Sequence, residues 1–176
     1  LGRGNIIGIC GGLQMLGESL EDPYRKEGGN KILKKEIKGL GILPLKTIFN
    51  KSKLTRQVSC KSLWPCEASI DGFEIHNGES DLISLNKGTK IKPLFKNNKL
   101  GWYFENNKGG STLGTYIHGI FENDIWRENY INLIRSKKGL PILDKKIKNY
   151  KIKRDSIIDN LAIQFNKYIN LSKFLN

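Results

Sequence analysis

Asn5-Ile6-Ile7-Gly8-Ile9-Cys10-Gly11-Gly12-Leu13-Gln14-Met15-Leu16-Gly17 is the stretch on which the reading of this chain turns. Asn5–Ile9 is a short apolar run bounded by glycines, consistent with a buried strand. Leu13, Leu16 and Leu20 then recur at helical spacing. The order is strand, tight turn, helix, with Cys10 at the corner. This is the pattern of a nucleophile elbow with cysteine in place of serine. A corner that sharp forces the nucleophile into a strained backbone conformation, and the residues two before and two after it, Gly8 and Gly12, are expected to be small to avoid a clash. The helix N-terminus favours thiolate over thiol at Cys10, and the Gly11 N–H points where an oxyanion would form. The bland alternative is a buried cysteine in a glycine-rich turn.

A cysteine nucleophile needs an acid and base, usually histidine, and the chain has two. Thr112–Ile117 reads as a strand that ends at His118, placing this ring at the carboxyl end of a strand, where open α/β sheets carry their sites. His76 lies in Asp71-Gly72-Phe73-Glu74-Ile75-His76-Asn77-Gly78, also read as a strand followed by a turn. Chemistry alone favours His118 over His76; a hydrogen-bonded structural histidine is the alternative for either.

The 176 residues match the length of one domain, and 38% hydrophobic content can bury an ordinary core. No apolar run approaches the ~20 residues of a membrane span, and no secretory signal is visible. Three cysteines do not make a disulfide framework, so the expected compartment is the reducing cytoplasm. The net charge of +13 accompanies 24 Lys, 23 Ile and 17 Asn against 2 Ala, a skew spread along the whole chain. That is a compositional bias rather than a selected nucleic-acid surface, although it attracts anionic partners.

The segment Gly8–Gly17 resembles the nucleophile segment of the cobyric acid synthase family, class I glutamine amidotransferases of cobalamin biosynthesis. Further resemblances follow in order. They are Asp22-Pro23 with Glu27; Gly39-Leu40-Gly41-Ile42-Leu43-Pro44-Leu45 with Thr47 and Phe49; Gly72-Phe73-Glu74-Ile75-His76-Asn77-Gly78; and Gly114-Thr115-Tyr116-Ile117-His118-Gly119-Ile120-Phe121-Glu122-Asn123-Asp124. The resemblance implies Cys10 as nucleophile, His118 as catalytic histidine, Gly11 as one oxyanion donor and Gln14 as the residue that contacts the glutamine substrate. Glu74 and His76 fall in a family motif and are given a structural or interdomain role. Most class I amidotransferases carry Pro and Glu after the catalytic histidine; here Gly119 and Ile120 follow, which leaves a Cys–His dyad. Glu122 could orient His118, but a solvated or capping role suits it better.

The implied fold is α/β: a partial flavodoxin-like amidotransferase domain with a mostly parallel sheet and C-terminal helices. The elbow strand starts within ten residues of Leu1 and no Gly-x4-Gly-Lys-Ser/Thr phosphate loop occurs. Residues 1–176 are therefore read as a single, N-terminally incomplete amidotransferase domain, with the ATP-binding synthetase domain absent. The resemblance implies glutamine hydrolysis that feeds ammonia to ATP-dependent amidation of the b, d, e and g carboxylates of adenosylcobyrinic acid a,c-diamide. Glutamine and an anionic corrinoid are the expected partners, with no nucleic acid or membrane. No metal or cofactor is expected on this chain; ATP and Mg2+ belong to the absent domain. The alternatives are a related Cys–His amidotransferase acting on another carboxylate and a basic nucleic-acid-binding module.

Elsewhere, 52–65 reads as loop or edge strand, and Cys60 and Cys66 lack zinc-site spacing and are structural. Lys87–Lys108 predicts a hairpin burying Trp102 and Phe104. Asp124–Lys138 predicts a helix with Trp126, Tyr130, Ile131 and Ile134 on one face, broken at Gly139-Leu140-Pro141. The basic run 145–154 reads as a solvated linker, after which Asp155 or Ser156 caps a last helix with Ile157, Leu161, Phe165 and Ile169 on its apolar face.

Overall fold

The expected strand, corner and helix form at the quoted stretch: β1 spans Asn5–Ile9 and α1 spans Gly11–Leu16. The computed structural model describes residues 4–27, 36–83, 90–143 and 149–169. After α1 come β2 (Ser19–Glu21), β3 (Glu36–Lys38), the long strands β4 (Leu45–Ser62) and β5 (Ala68–Leu82), and the two-residue β6 (Lys92–Pro93). Then follow β7 (Gly101–Glu105), β8 (Ser111–Thr115), β9 (Ile117–His118), a 3-10 turn at Ile120–Glu122, α2 (Asp124–Lys137) and α3 (Tyr150–Tyr168).

The strands form two sheets, ordered β1-β8-β7-β6 and β3-β2-β4-β5-β9. The α/β class and the C-terminal helices hold, but the sheets are mixed rather than mostly parallel. Only β1–β8 and β2–β4 pair in parallel among the described strands; the rest are antiparallel. The reason lies in the connections. Short loops return β4 to β5 and β7 to β8 directly, and a short connection can only give antiparallel neighbours.

Adjacent residues of β7 serve opposite faces of the first sheet, as the two-residue pleat requires. Trp102 packs with Leu13, Leu16, Leu43, Leu45 and Tyr116 on the α1 side, with Phe104 partly buried against them. Tyr103 packs with Trp64, Leu113, Ile117, Trp126 and Tyr130 on the other. Of the predicted aromatic pair, Trp102 is buried and Phe104 only partly so. Trp126 is fully buried, and its indole N–H donates to the Trp64 carbonyl at 2.9 Å, so burial leaves no orphaned donor. That side chain and Tyr130 anchor α2 along the predicted face.

Several local expectations are corrected. α1 stops at Leu16, and Leu20 lies on β2: Gly17 turns the chain so that Glu18 N–H can bond the Leu45 carbonyl. The segment 52–65 takes the edge-strand alternative and not the loop: β4 runs to Ser62, and Leu54–Ser62 pair with β5 on one side while β2 reaches only Lys46–Ile48. No turn follows His76; β5 continues to Leu82 in that same hairpin. The last helix starts earlier than expected, at Tyr150, capped by the Asn149 side chain accepting from Ile152 N–H at 3.2 Å. Tyr150–Arg154 of the basic run therefore open this helix; residues 145–148 of that run lie outside the described residues. Ile157, Leu161 and Phe165 are exposed, and α3 buries no side chain. Cys60 and Cys66 are free thiols beside the Trp64 cluster, and no group of three or more metal-ligating side chains occurs among the described residues. No helix among them is long and apolar enough to cross a membrane.

Candidate active site

Cys10 adopts φ 54° and ψ −113°, a conformation that non-glycine residues rarely hold. Its backbone is over-determined. The Cys10 N–H donates to the Thr115 carbonyl at 2.8 Å, extending the parallel β1–β8 register by one residue, and its own carbonyl accepts the Gln14 N–H at 3.2 Å to open α1. Gly8 makes this corner possible: a Cβ there would fall 2.6 Å from the Leu16 Cδ1 and 2.7 Å from the Gly12 carbonyl. The expectation for Gly12 is corrected, since a Cβ there meets nothing within 4 Å. The helix folds back over β1, so all the crowding falls on Gly8.

The same register locates His118. Ile9 pairs with Thr115, and His118 follows three residues later at the same end of the sheet as Cys10. Between them the chain leaves the first sheet at Tyr116 and joins the second, where Ile117 pairs with Glu74 and His118 with Phe73. The Cys10 thiol meets this second sheet too, with Sγ donating to the Ile75 carbonyl at 3.1 Å. Cys10 and His118 therefore both abut the stretch Phe73–Ile75 of β5. The His118 Nε2 is buried and has no hydrogen-bond partner among the described residues.

His76 differs from His118 in this respect. Its Nε2 lies 2.8 Å from Glu74 Oε1 and its Nδ1 2.5 Å from the Gly78 carbonyl, so both nitrogens are occupied. Glu74 in turn accepts from Arg56 Nε at 2.7 Å, across the β4–β5 pair. The His76 ring stacks on Tyr116 with centroids 3.8 Å apart. Alternation along β5 turns Glu74, His76, Gly78 and Ser80 inward together.

Tyr116 joins this wall to the elbow helix. Its hydroxyl sits 2.6 Å from Ser80 Oγ, which is 2.6 Å from Thr47 Oγ1, and Gln14 Nε2 donates to it at 3.5 Å. Burial pushes the Tyr116 phenol above its ordinary value, and bonds to Ser80, Gln14 and Thr47 pull the other way. Gln14 is itself buried, and a Cβ at Gly78 would lie 3.2 Å from its Nε2. Gly11, as the first residue of α1, follows Cys10 directly. Glu122 pairs with Arg154 instead of turning to His118: its Oε2 accepts from Nη1 at 2.8 Å in a half-exposed ion pair. The sequence reading missed Tyr116, Ser80, Thr47 and Arg56 as site residues. A tyrosine two positions before the candidate histidine was the available signal for the first.

A strained cysteine at a strand-to-helix corner, with a histidine just past the neighbouring strand, places the domain among class I glutamine amidotransferase folds. Residues 2–126 match the CobB/CobQ-like glutamine amidotransferase domain, and the chain belongs to that family. It is 62% identical over 174 residues to a cobyric acid synthase of Prochlorococcus marinus strain MIT 9301, covering 99% of this chain and 34% of that protein. It is 48% identical over 168 residues to a cobyric acid synthase of strain NATL1A, again over 34% of that protein. The chain thus spans about a third of the length of the curated relatives it matches.

Proposed function

We propose that this chain is the glutaminase part of a cobyric acid synthase and that Cys10 and His118 carry its chemistry. The observation that carries the reading is the strained Cys10 corner, fixed by Thr115, at the same end of the sheet as a partly buried His118 whose Nε2 is shielded and has no hydrogen-bond partner among the described residues. Cys10 thiolate adds to the side-chain amide carbon of glutamine, and the carbonyl electrons move onto oxygen. The Gly11 N–H supplies one donor to that oxyanion. His118 gives its proton to the amide nitrogen, the C–N bond breaks, and ammonia leaves a glutamyl thioester on Cys10. His118 then takes a proton from water, which adds to the thioester carbon; the C–S bond breaks, releasing glutamate and restoring the thiolate. Gln14 contacts the bound glutamine.

Ammonia made here would be consumed in amidating the b, d, e and g carboxylates of adenosylcobyrinic acid a,c-diamide, in the cytoplasm. Activating a carboxylate requires ATP and Mg2+. That half of the reaction is assigned outside this chain.

The test uses the complete gene product. Cys10→Ala is expected to abolish amidation driven by glutamine while amidation driven by an ammonium salt continues. Glutamine-driven amidation at the wild-type rate in that variant would overturn the assignment.

A further inference from the structure

Gln14, in the first helical turn after the nucleophile, is held by a polar chain that begins far away in sequence. Thr47 on β4, Ser80 on β5 and Tyr116 at the crossing between sheets form a continuous run of hydroxyls ending at the Gln14 amide. Thr47, Ser80, Tyr116 and Gln14 are all buried, so water cannot replace a lost link cheaply. On its other side the amide is confined by Gly78, where no Cβ fits without displacement. Tyr116 is also held face-on by the His76 ring, whose two nitrogens are tied to Glu74 and the Gly78 carbonyl. With both nitrogens engaged, His76 has none free to exchange a proton with Cys10; what it offers the site is a fixed ring surface.

We infer that Tyr116 is a positioning residue that fixes the Gln14 carboxamide for glutamine binding, and that His76 acts through Tyr116. This rests on the proposed glutaminase reading and adds to it a determinant of substrate affinity distinct from the Cys10–His118 chemistry. Tyr116 touches no reacting atom. Its hydroxyl limits Gln14 to one orientation before substrate arrives, so ordering that side chain costs binding nothing. The consequence is a separation of kinetic parameters: loss of the hydroxyl weakens glutamine binding and leaves the chemical step intact.

The experiment is steady-state kinetics on the complete gene product carrying Tyr116→Phe, which keeps the ring on His76 and removes only the oxygen. Ser80→Ala breaks the same chain one link further on and serves if the first variant does not fold. The KM for glutamine is expected to rise about fivefold to tenfold, the effect of one lost hydrogen bond, with kcat within about twofold of wild type. The KM for ammonium as nitrogen donor stays unchanged. A glutamine KM within twofold of wild type would overturn the inference, as would a parallel fall in the glutamine and ammonium reactions, which marks general damage to the fold. Should the wild-type protein use ammonium and not glutamine, the glutaminase reading itself has failed and the inference falls with it; this outcome differs from a normal wild type with an unaltered variant.

Discussion

Helices α1 and α3 form an instructive pair. α1 has six residues and begins from a backbone conformation that costs free energy, yet Leu13, Gln14 and Leu16 are all buried. α3 has nineteen residues, a side-chain cap at Asn149 and regular geometry, yet buries none of them. An isolated helix of six residues would not persist in water, because nucleation is too costly. α1 exists because Leu13 and Leu16 pack on Trp102 and Tyr116 and because β1 and β8 deliver the chain to its first turn. α3 shows the reverse: local propensity and capping can form a helix that tertiary packing does not use. The strain at Cys10 is held in place by a buried helix, and that is also where the chemistry is proposed.

The contrast can be broken most severely at the site itself. His118→Ala is expected to lower kcat for glutamine hydrolysis by about 10²–10⁴-fold, the span of a lost general acid and base. His76→Gln should instead act mainly on KM, through Tyr116. Rate measurements on both variants check this, and a larger kcat loss in His76→Gln would exchange the two assignments. Next in size is Gly8→Val, whose Cβ alone would fall 2.6 Å from Leu16 Cδ1 and 2.7 Å from the Gly12 carbonyl. It is expected to cost about 3 kcal/mol, the upper range for overpacking, read from chemical denaturation. An unchanged midpoint would show that the elbow can relax.

Thiol labelling sharpens the comparison further. Burial, helped by Asp71, pushes the Cys60 thiol up to about 11, and burial also raises Cys66. At pH 8 about one Cys60 thiol in a thousand is ionised, so iodoacetamide is expected to modify Cys10 well before Cys60, with Cys60 catching up only as pH approaches 11. Peptide mass spectrometry over a pH series checks the order. The smallest effect belongs to α3: Leu161→Ala removes a side chain that is 64% exposed and should change stability by no more than about 0.5 kcal/mol. A loss several times larger would mean that α3 is covered in solution.

The elbow was legible in the sequence because its causes are local. A strand run, a small residue at Gly8 and leucines three apart all lie within a dozen positions of Cys10. Trp126 and Tyr130 were legible for the same reason, four residues apart on one helix. The wall behind the nucleophile was not. Tyr116 meets Ser80 across 36 positions and Gln14 across 102, through pairings of β5 with both β4 and β9 that no local pattern encodes. Periodicity also overstated α3's role, since its apolar spacing shows which residues share a face and not whether anything packs there. His118 lay between these cases: the strand before it was readable, but the crossing into the second sheet at Tyr116, which sets its surroundings, was not.

The central claim is that Cys10 is a glutamine-directed nucleophile, and the most direct measurement is covalent trapping with a diazoketone analogue of glutamine, followed by peptide mass spectrometry of the complete gene product. The label should appear on Cys10 alone, be slowed by added glutamine, and be absent in Cys10→Ala. Label spread evenly over Cys10, Cys60 and Cys66, or labelling that glutamine does not slow, would contradict it.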